Sequence, residues 1–386
     1  MNSKFSTLVG MDVHARSVTC SAMIVETGEI IAKKLAKSPK AGDVAAWLSA
    51  LPQPVYCAYE SGCTAYELAR GLREMGFACD VIAVTTLAKS TKGKQQKCDK
   101  KDARAILSAI ANPASDHTVV DVPSVEVEAA RDLARMHSDA KAAVKRAKQQ
   151  LLALLLRHGI TWDERTASGN LKAKWTAGFR KWLDGVQMPT PTGQATLDAY
   201  RRQLDACEEA ERHARELVEA EAASERWKPY VDALKRLKGL SAISAFLAAA
   251  EFGDFSRFKS GRKVSCWIGC VPKDNTSDER KAHGPITKAG NSHLRRALVE
   301  GCGDIGRRNA ARKKLEEGQG VSEAVERLAC KANSRLLKRY RHLVGDLGKH
   351  PNKAKVAVVS ELSRWIWAIG LQVQNELSAK AEGGAR

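Results

Sequence analysis

Three things are scarce in this sequence of 386 residues. Long apolar runs are the first. The longest clean stretch, Ala242–Ala250, stops at Glu251, far short of the ~20 residues that span a bilayer. Thr7–Met11 runs straight into Asp12, which leaves no apolar segment of a secretion signal. A membrane partner is therefore not expected. Cysteines at metal-binding spacing are the second. The ten cysteines are scattered and include no C-x-x-C pair. Cys266 and Cys270, upstream of His283 and Cys302, read as buried thiols rather than zinc ligands. Without a secretion signal, the ten are expected to be reduced thiols of a cytoplasmic protein. Acidic residues are the third: 44 Asp and Glu face 63 Lys and Arg, a formal charge of +19. Such a surplus repels itself and favours a polyanionic partner, which a small acidic substrate would not require.

What is present supports two or three domains. With 44% hydrophobic residues the chain can bury cores, which excludes a wholly disordered protein. Residues 7–36 alternate apolar and polar side chains in three runs separated by short turns, the period of consecutive antiparallel strands. A helix around Ala41–Ala50, a buried strand Val55–Tyr59, a helix Ala65–Gly76 and a strand Cys79–Val84 follow. This order, three strands and then alternating helices and strands, predicts a mixed α/β layer of the RNase H type. From Val125 to His158 apolar residues recur at three and four spacing, and a second long charged helix is expected over Ala195–Ser224. The pair reads as a long helical coiled-coil hairpin, with a plain helical bundle as the alternative. Pro189, Pro191 and Gly193 read as loop markers. Beyond Trp227 helix-sized segments alternate with glycine turns to about Val373. The expected domains are 1–122 (α/β), 123–226 (helical hairpin) and 227–375 (mainly α-helical), with 376–386 a disordered tail.

Four carboxylates stand out. Asp12 closes an apolar strand, Glu60 follows another, and Asp99 and Asp102 sit three apart at the start of a helix, on one face of it. Acids from neighbouring strand ends and a helix turn can meet at one sheet edge. Packed carboxylates repel unless cations neutralise them, and hard oxygen donors suit Mg²⁺ or Mn²⁺. A pair of such ions can act on a phosphodiester. The same acids also fit ordinary turn and cap positions. The Asp pair lies in a basic stretch containing Lys94, Lys97, Lys100, Lys101 and Arg104, which attracts phosphate or is simply solvated.

The C-terminal charge is concentrated. Residues 255–355 hold 24 Lys or Arg against 10 Asp or Glu, which is +14 of the +19. Phosphate contact is its natural use. Candidate contacts are Lys238 and Gly239, in a turn like half of a helix-hairpin-helix, and Lys273, Arg280, Lys281, Lys288, Asn291, Arg295 and Arg296. Ser277 lies in the polar segment after Trp267-Ile268-Gly269-Cys270-Val271-Pro272 and, by composition, is a loop serine.

Taken together these blocks resemble the DEDD-type transposases of the insertion-sequence one-ten family, the bridge-RNA-guided serine recombinases. Gly10-Met11-Asp12-Val13-His14 resembles the family's opening strand, Tyr59-Glu60-Ser61-Gly62 its second acidic segment, and Lys97-Cys98-Asp99-Lys100-Lys101-Asp102-Ala103-Arg104 its paired-aspartate block. Phe255-Ser256-Arg257-Phe258, the Trp267–Pro272 block and Ile286-Thr287-Lys288-Ala289-Gly290-Asn291 resemble its C-terminal transposase domain. The resemblance implies a RuvC-like first domain with Asp12, Glu60, Asp99 and Asp102 as a metal tetrad holding Mg²⁺ or Mn²⁺. It implies Ser277, five residues after Pro272, as the nucleophile that becomes joined to DNA. It further implies donor and target DNA and a structured noncoding RNA as partners, a homodimer that assembles to a tetramer at synapsis, and a bacterial, nucleoid-associated setting. The acids alone also fit a RuvC-like nuclease of the junction-resolving type that uses water.

Overall fold

The alternation in residues 7–36 folds as three antiparallel strands. These are β1 (Thr7–His14), β2 (Ser17–Ile24) and β3 (Ile30–Ala36), joined by short turns. The computed structural model describes residues 4–83, 98–112, 114–115, 117–277, 280–305 and 320–384. Its chain divides into two units, Met1–Ser124 and Val125–Arg386.

In the first unit, helix α1 (Ala41–Ser49) leads into β4 (Val55–Glu60), α2 (Glu67–Glu74) and β5 (Ala78–Ile82). Then come α3 (Asp99–Ala111) and the short β6 (Val119–Val120). The sheet order is β3-β2-β1-β4-β5-β6. β4 lies parallel to both β1 and β5, and β6 is antiparallel to β5. Strand periodicity sorts side chains between two cores. Val9, Met11, Cys57 and Tyr59 pack with Val44 and Leu48 of α1 and Leu72 of α2. Leu8, Ala58 and Ile82 face Ile106, Leu107 and Ile110 of α3. Asp12 is in step with Leu8, and Glu60 with Ala58, so both carboxylates belong to the α3 face.

The second unit opens with α4 (Val125–Arg157) and, after α5 (Ala177–Asp184), α6 (Pro191–Ala222), which packs beside α4. Leu151, Leu154, Leu197 and Leu204 join Trp162, Phe179 and Met188 in a core at one end of this pair. Pro191, read from sequence as a loop marker, is instead the first residue of α6: Thr190 caps the helix by accepting from the Gly193 N–H. Proline suits that position because its fixed φ is helical and no N–H is needed there.

Next come α7 (Lys228–Lys235), α8 (Ala242–Phe252), α9 (Gly261–Trp267), a hairpin of β7 (Pro272–Ser277) and β8 (Arg280–Ile286), and α10 (Ser292–Gly301). The unit ends with α11 (Glu323–Arg341) and α12 (Pro351–Gly384). The polar segment around Ser277, read as a loop, is thus a two-stranded ribbon. Its ends are tied by the Thr287 N–H on the Val271 carbonyl (2.9 Å) and the Asn291 N–H on the Trp267 carbonyl (2.9 Å). Gly290 makes this possible: with φ +85°, a Cβ there would sit 1.9 Å from the Trp267 oxygen. The segment expected to be a disordered tail from 376 continues α12 to Gly384. Glu376 anchors its start by accepting from the Ser322 hydroxyl (2.7 Å) and the Gln372 amide (2.8 Å). By length and composition α12 could cross a membrane, but half of its most apolar stretch is buried inside the unit, with Val358, Leu362, Ile366 and Ile369 in the main core.

A buried ion pair holds the turn between α7 and α8. Arg236, 1% exposed, donates through Nε and a terminal nitrogen to both oxygens of Glu326 on α11 (2.7 and 2.9 Å). Asn333 bridges the same turn, accepting from the Lys238 N–H and donating to the Arg236 carbonyl. Removing one partner leaves an uncompensated buried charge, which costs more than the intact pair contributes. Glu326→Ala should therefore lower unfolding free energy by about 3 kcal/mol in urea denaturation, and Arg236→Met with Glu326→Leu should restore most of that loss.

Candidate active site

The site begins with a missing side chain. A Cβ on Gly10 would lie 2.3 Å from both the Ala103 carbonyl oxygen and the Leu107 nitrogen, so glycine lets α3 lie directly on β1. This contact carries the first turn of α3, with Asp99 and Asp102, toward Asp12, two residues beyond Gly10 on the same face. The parallel register pairs Met11 with Tyr59, which makes Asp12 and Glu60 the next residues on adjacent strands.

The side chains then converge unequally. Ligand atoms of Asp12, His14 and Asp99 all lie within 4.8 Å of one another. Asp102 stands outside this tight set, but its charge and that of Asp99 help raise the Asp12 pKa. Glu60 is placed beside Asp12 by strand register. His14, in the opening strand motif, joins the site: its Nε2 lies 3.1 Å from Asp12 and 3.9 Å from Asp99. Lys34 carries no motif signal in the sequence, yet it reaches the site. Its Nζ donates to Asp99 at 3.0 Å. Cross-strand register explains it: Asp12 faces Thr19, and Thr19 faces Lys34, so the three form a row on one face. Sequence spacing alone gives no sign of that row.

Electrostatics divides the acids. Burial pushes the Asp12 carboxyl above its ordinary value; His14 opposes this, and Asp102 and Asp99 add to it. Lys34 holds Asp99 below its ordinary value through a hydrogen bond and its charge. The Thr19 hydroxyl, buried opposite Asp12, has no hydrogen-bond partner among the described residues. A half-buried carboxylate raised by burial and then by like charges, an unsatisfied hydroxyl and oxygen donors from strand and helix fit a hard divalent cation. The carboxylate oxygens suit Mg²⁺ and Mn²⁺ alike.

The basic candidates scatter more widely. Lys100, Lys101 and Arg104 are exposed on α3. Lys94 and Lys97 lie outside the described residues. In the second unit Lys273, Lys288 and Arg296 are exposed, and Lys238 is half-buried. Gly239 packs against the Gly301 backbone. Ser277 is the last residue of β7, and Arg280 and Lys281 open β8. Asn291 and Arg295 also make contacts within the fold. Asn291 caps α10 by accepting from the Leu294 N–H and donates to Glu251 (2.7 Å), while Arg295 donates to the Ile268 carbonyl (2.7 Å). Burial pushes the Cys270 thiol up to about 11 and the Cys302 thiol up to about 12, which keeps both protonated at neutral pH.

Both units match known families. Residues 9–160 match the DEDD transposase domain of IS110 elements, and residues 231–316 match the Transposase IS116/IS110/IS902 family. The chain is 32% identical over 330 residues to y4qE of Sinorhizobium fredii, a protein named as a transposase. That alignment covers 84% of this chain and 77% of the relative, and so spans both units. The chain belongs to the IS110 family of transposases. A second relative, the transposase for insertion sequence element IS1533 of Leptospira borgpetersenii, is 26% identical over 87% of this chain and 96% of its own length. This IS110-family transposase is therefore a DNA-acting enzyme, and its DEDD domain implies use of a divalent metal.

Two predictions follow from the cluster. Gly10→Ala must push α3 off β1; it should cost roughly 2 kcal/mol or more in urea denaturation, as overpacking does, and weaken Mn²⁺ binding measured by titration calorimetry. Asp12→Asn tests the electrostatics. Because the folded Asp12 pKa is raised, its contribution to stability is complete below the unfolded value and lost as pH rises through the folded value. At neutral pH without metal, Asp12→Asn should melt no lower than wild type. Added Mg²⁺ or Mn²⁺ should raise the wild-type Tm by mass action and leave the Asp12→Asn Tm nearly unmoved.

Proposed function

We propose that this transposase is a bridge-RNA-guided recombinase in which a RuvC-like acidic site and a serine nucleophile cooperate. The carrying observation is the pairing, in one chain, of two family-matched segments. The first contains the Asp12–His14–Asp99 cluster, and the second presents Ser277 at the end of a pinned β-ribbon. Asp12, Glu60, Asp99 and Asp102 would hold Mg²⁺ or Mn²⁺. Such ions, when bound, supply positive charge to a scissile phosphate and favour an ionised attacking oxygen. The residues of the chain do the rest. Asp12 and Asp99 set the charge of the site, Lys34 restrains Asp99, and the ribbon carries Ser277 as the last residue of β7.

In the proposed step the Ser277 oxygen bonds to phosphorus as the bond from phosphorus to the 3′ oxygen breaks. The serine proton is lost and the 3′ oxygen gains one. One phosphodiester replaces another, so a strand can be rejoined without an outside energy source. Donor and target DNA and a structured noncoding RNA are the proposed partners. The long helices α4 and α6, as a coiled coil, would join subunits into a homodimer and then a tetramer. Completion of the acidic site by another subunit's serine is part of this reading.

The alternative is a RuvC-like nuclease using water, which the acids alone fit as well. Mixing Ser277→Ala protein with Asp102→Asn protein separates the two. Partial recombination from the mixture, with each variant inactive alone and a protease-sensitive protein–DNA adduct in wild type, is the expected result. Undiminished cleavage by Ser277→Ala would transfer the reading to the water-using nuclease.

A further inference from the structure

The second unit contains a cleft of about 670 Å³ that the acid cluster and the ribbon do not use. Residues of α4, α6, α10 and the start of α8 line it. Its basic side chains are Lys141, Lys145, Arg146, Arg215 and Arg296, against two acids, Glu211 and Glu300. The acids are already engaged. Glu211 accepts from Arg215 (2.7 Å) and sits 3.3 Å from His137, and Glu300 lies 3.9 Å from Lys141. Lys145, Arg146 and Arg296 have no ion pair among the described residues, and all three are exposed.

Uncompensated cations gathered on one cleft are costly through mutual repulsion, and an anion relieves that cost. The form of the cleft says which anion. Lys141 and Lys145 are one turn apart on α4, about 6 Å along its axis, and Arg296 reaches the same space from α10. Cations spread over separate elements and kept in water suit an extended polyanion rather than a compact anion enclosed by donors. The positive end of α8, whose capping residue Ser241 lines the cleft, adds to the same potential.

We propose that this cleft seats the phosphodiester backbone of a nucleic-acid strand, as a contact separate from the acidic site and the Ser277 ribbon. The proposal requires neither RNA guidance nor a serine nucleophile. DNA and RNA share the chemistry, and the test distinguishes them.

Full-length wild-type protein is treated with a lysine-acetylating reagent alone, with saturating duplex DNA, and with saturating structured RNA, and acetylation is read by mass spectrometry. Lys141 and Lys145 should be protected several-fold in at least one nucleic-acid arm, while Lys380, exposed near the end of α12, stays fully reactive. The arm that protects identifies the strand. The triple variant Lys145→Gln, Arg146→Gln, Arg296→Gln should keep the wild-type Tm. Its plot of log affinity against log salt should be shallower by roughly 2 to 3 for that nucleic acid, since each lost phosphate contact removes about 0.9 from the slope on duplex DNA and about 0.7 on single strands. Equal acetylation of Lys141 and Lys145 in all three arms, or an unchanged salt slope, would overturn the proposal. Protection does not depend on the variant folding. A Ser277→Ala protein should show the same protection, whichever nucleophile the enzyme uses.

Discussion

The acidic site depends on one contact, the backbone of α3 lying against Gly10 of β1. At 2.3 Å from where a Cβ would be, no other residue permits it without displacement of the helix. The arrangement of the acidic cluster in the first unit follows from that approach. It brings Asp99 to Asp12, buries Asp12 enough to raise its pKa, and places Asp102 near enough to contribute. The glycine in the opening strand motif is thus as much a part of the site as the aspartate two residues later.

Charge is managed differently in the two units. In the first, Asp12 and Asp99 crowd together with Asp102 near them; Lys34 supplies partial neutralisation, and His14 lies within hydrogen-bond distance of Asp12. Lys34 also separates the two aspartates electrostatically, holding Asp99 low while Asp12 stays high. Of the residues that would hold a metal, one carboxylate is already tethered to an ammonium group and another is raised by burial and by its neighbours. In the second unit the excess is positive. Part of it is spent internally, as in the Arg236–Glu326 pair and the Arg135–Glu251 pair, and part stays exposed to solvent.

Motif residues can serve the fold as readily as the chemistry. Asn291 and Gly290 both lie in a block that suggests nucleic-acid contact. Gly290 allows the backbone to close at the base of the ribbon, and Asn291 ties α10 to Glu251. The ribbon that ends at Ser277 owes its position to these contacts. A binding role assigned by composition and a positioning role assigned by geometry therefore fall on the same short stretch.

By itself the sequence determined which residues are available. The alternation of residues 7–36 set the strands, because side chains on a strand must alternate between two faces. The spacing of Asp99 and Asp102 set them on one helical turn, and the surplus of Lys and Arg set the kind of partner. Only the tertiary structure decided which of these residues meet. Lys34 reaches Asp99, 65 residues away in the chain, because two antiparallel registers place it in a row with Thr19 and Asp12. Neither strand's own pattern encodes the register of its neighbour. The same holds for Pro191, Asn291 and the Ser277 ribbon. A local signal such as a proline, a polar run or a basic cluster is compatible with several structures, and long-range backbone contacts choose among them.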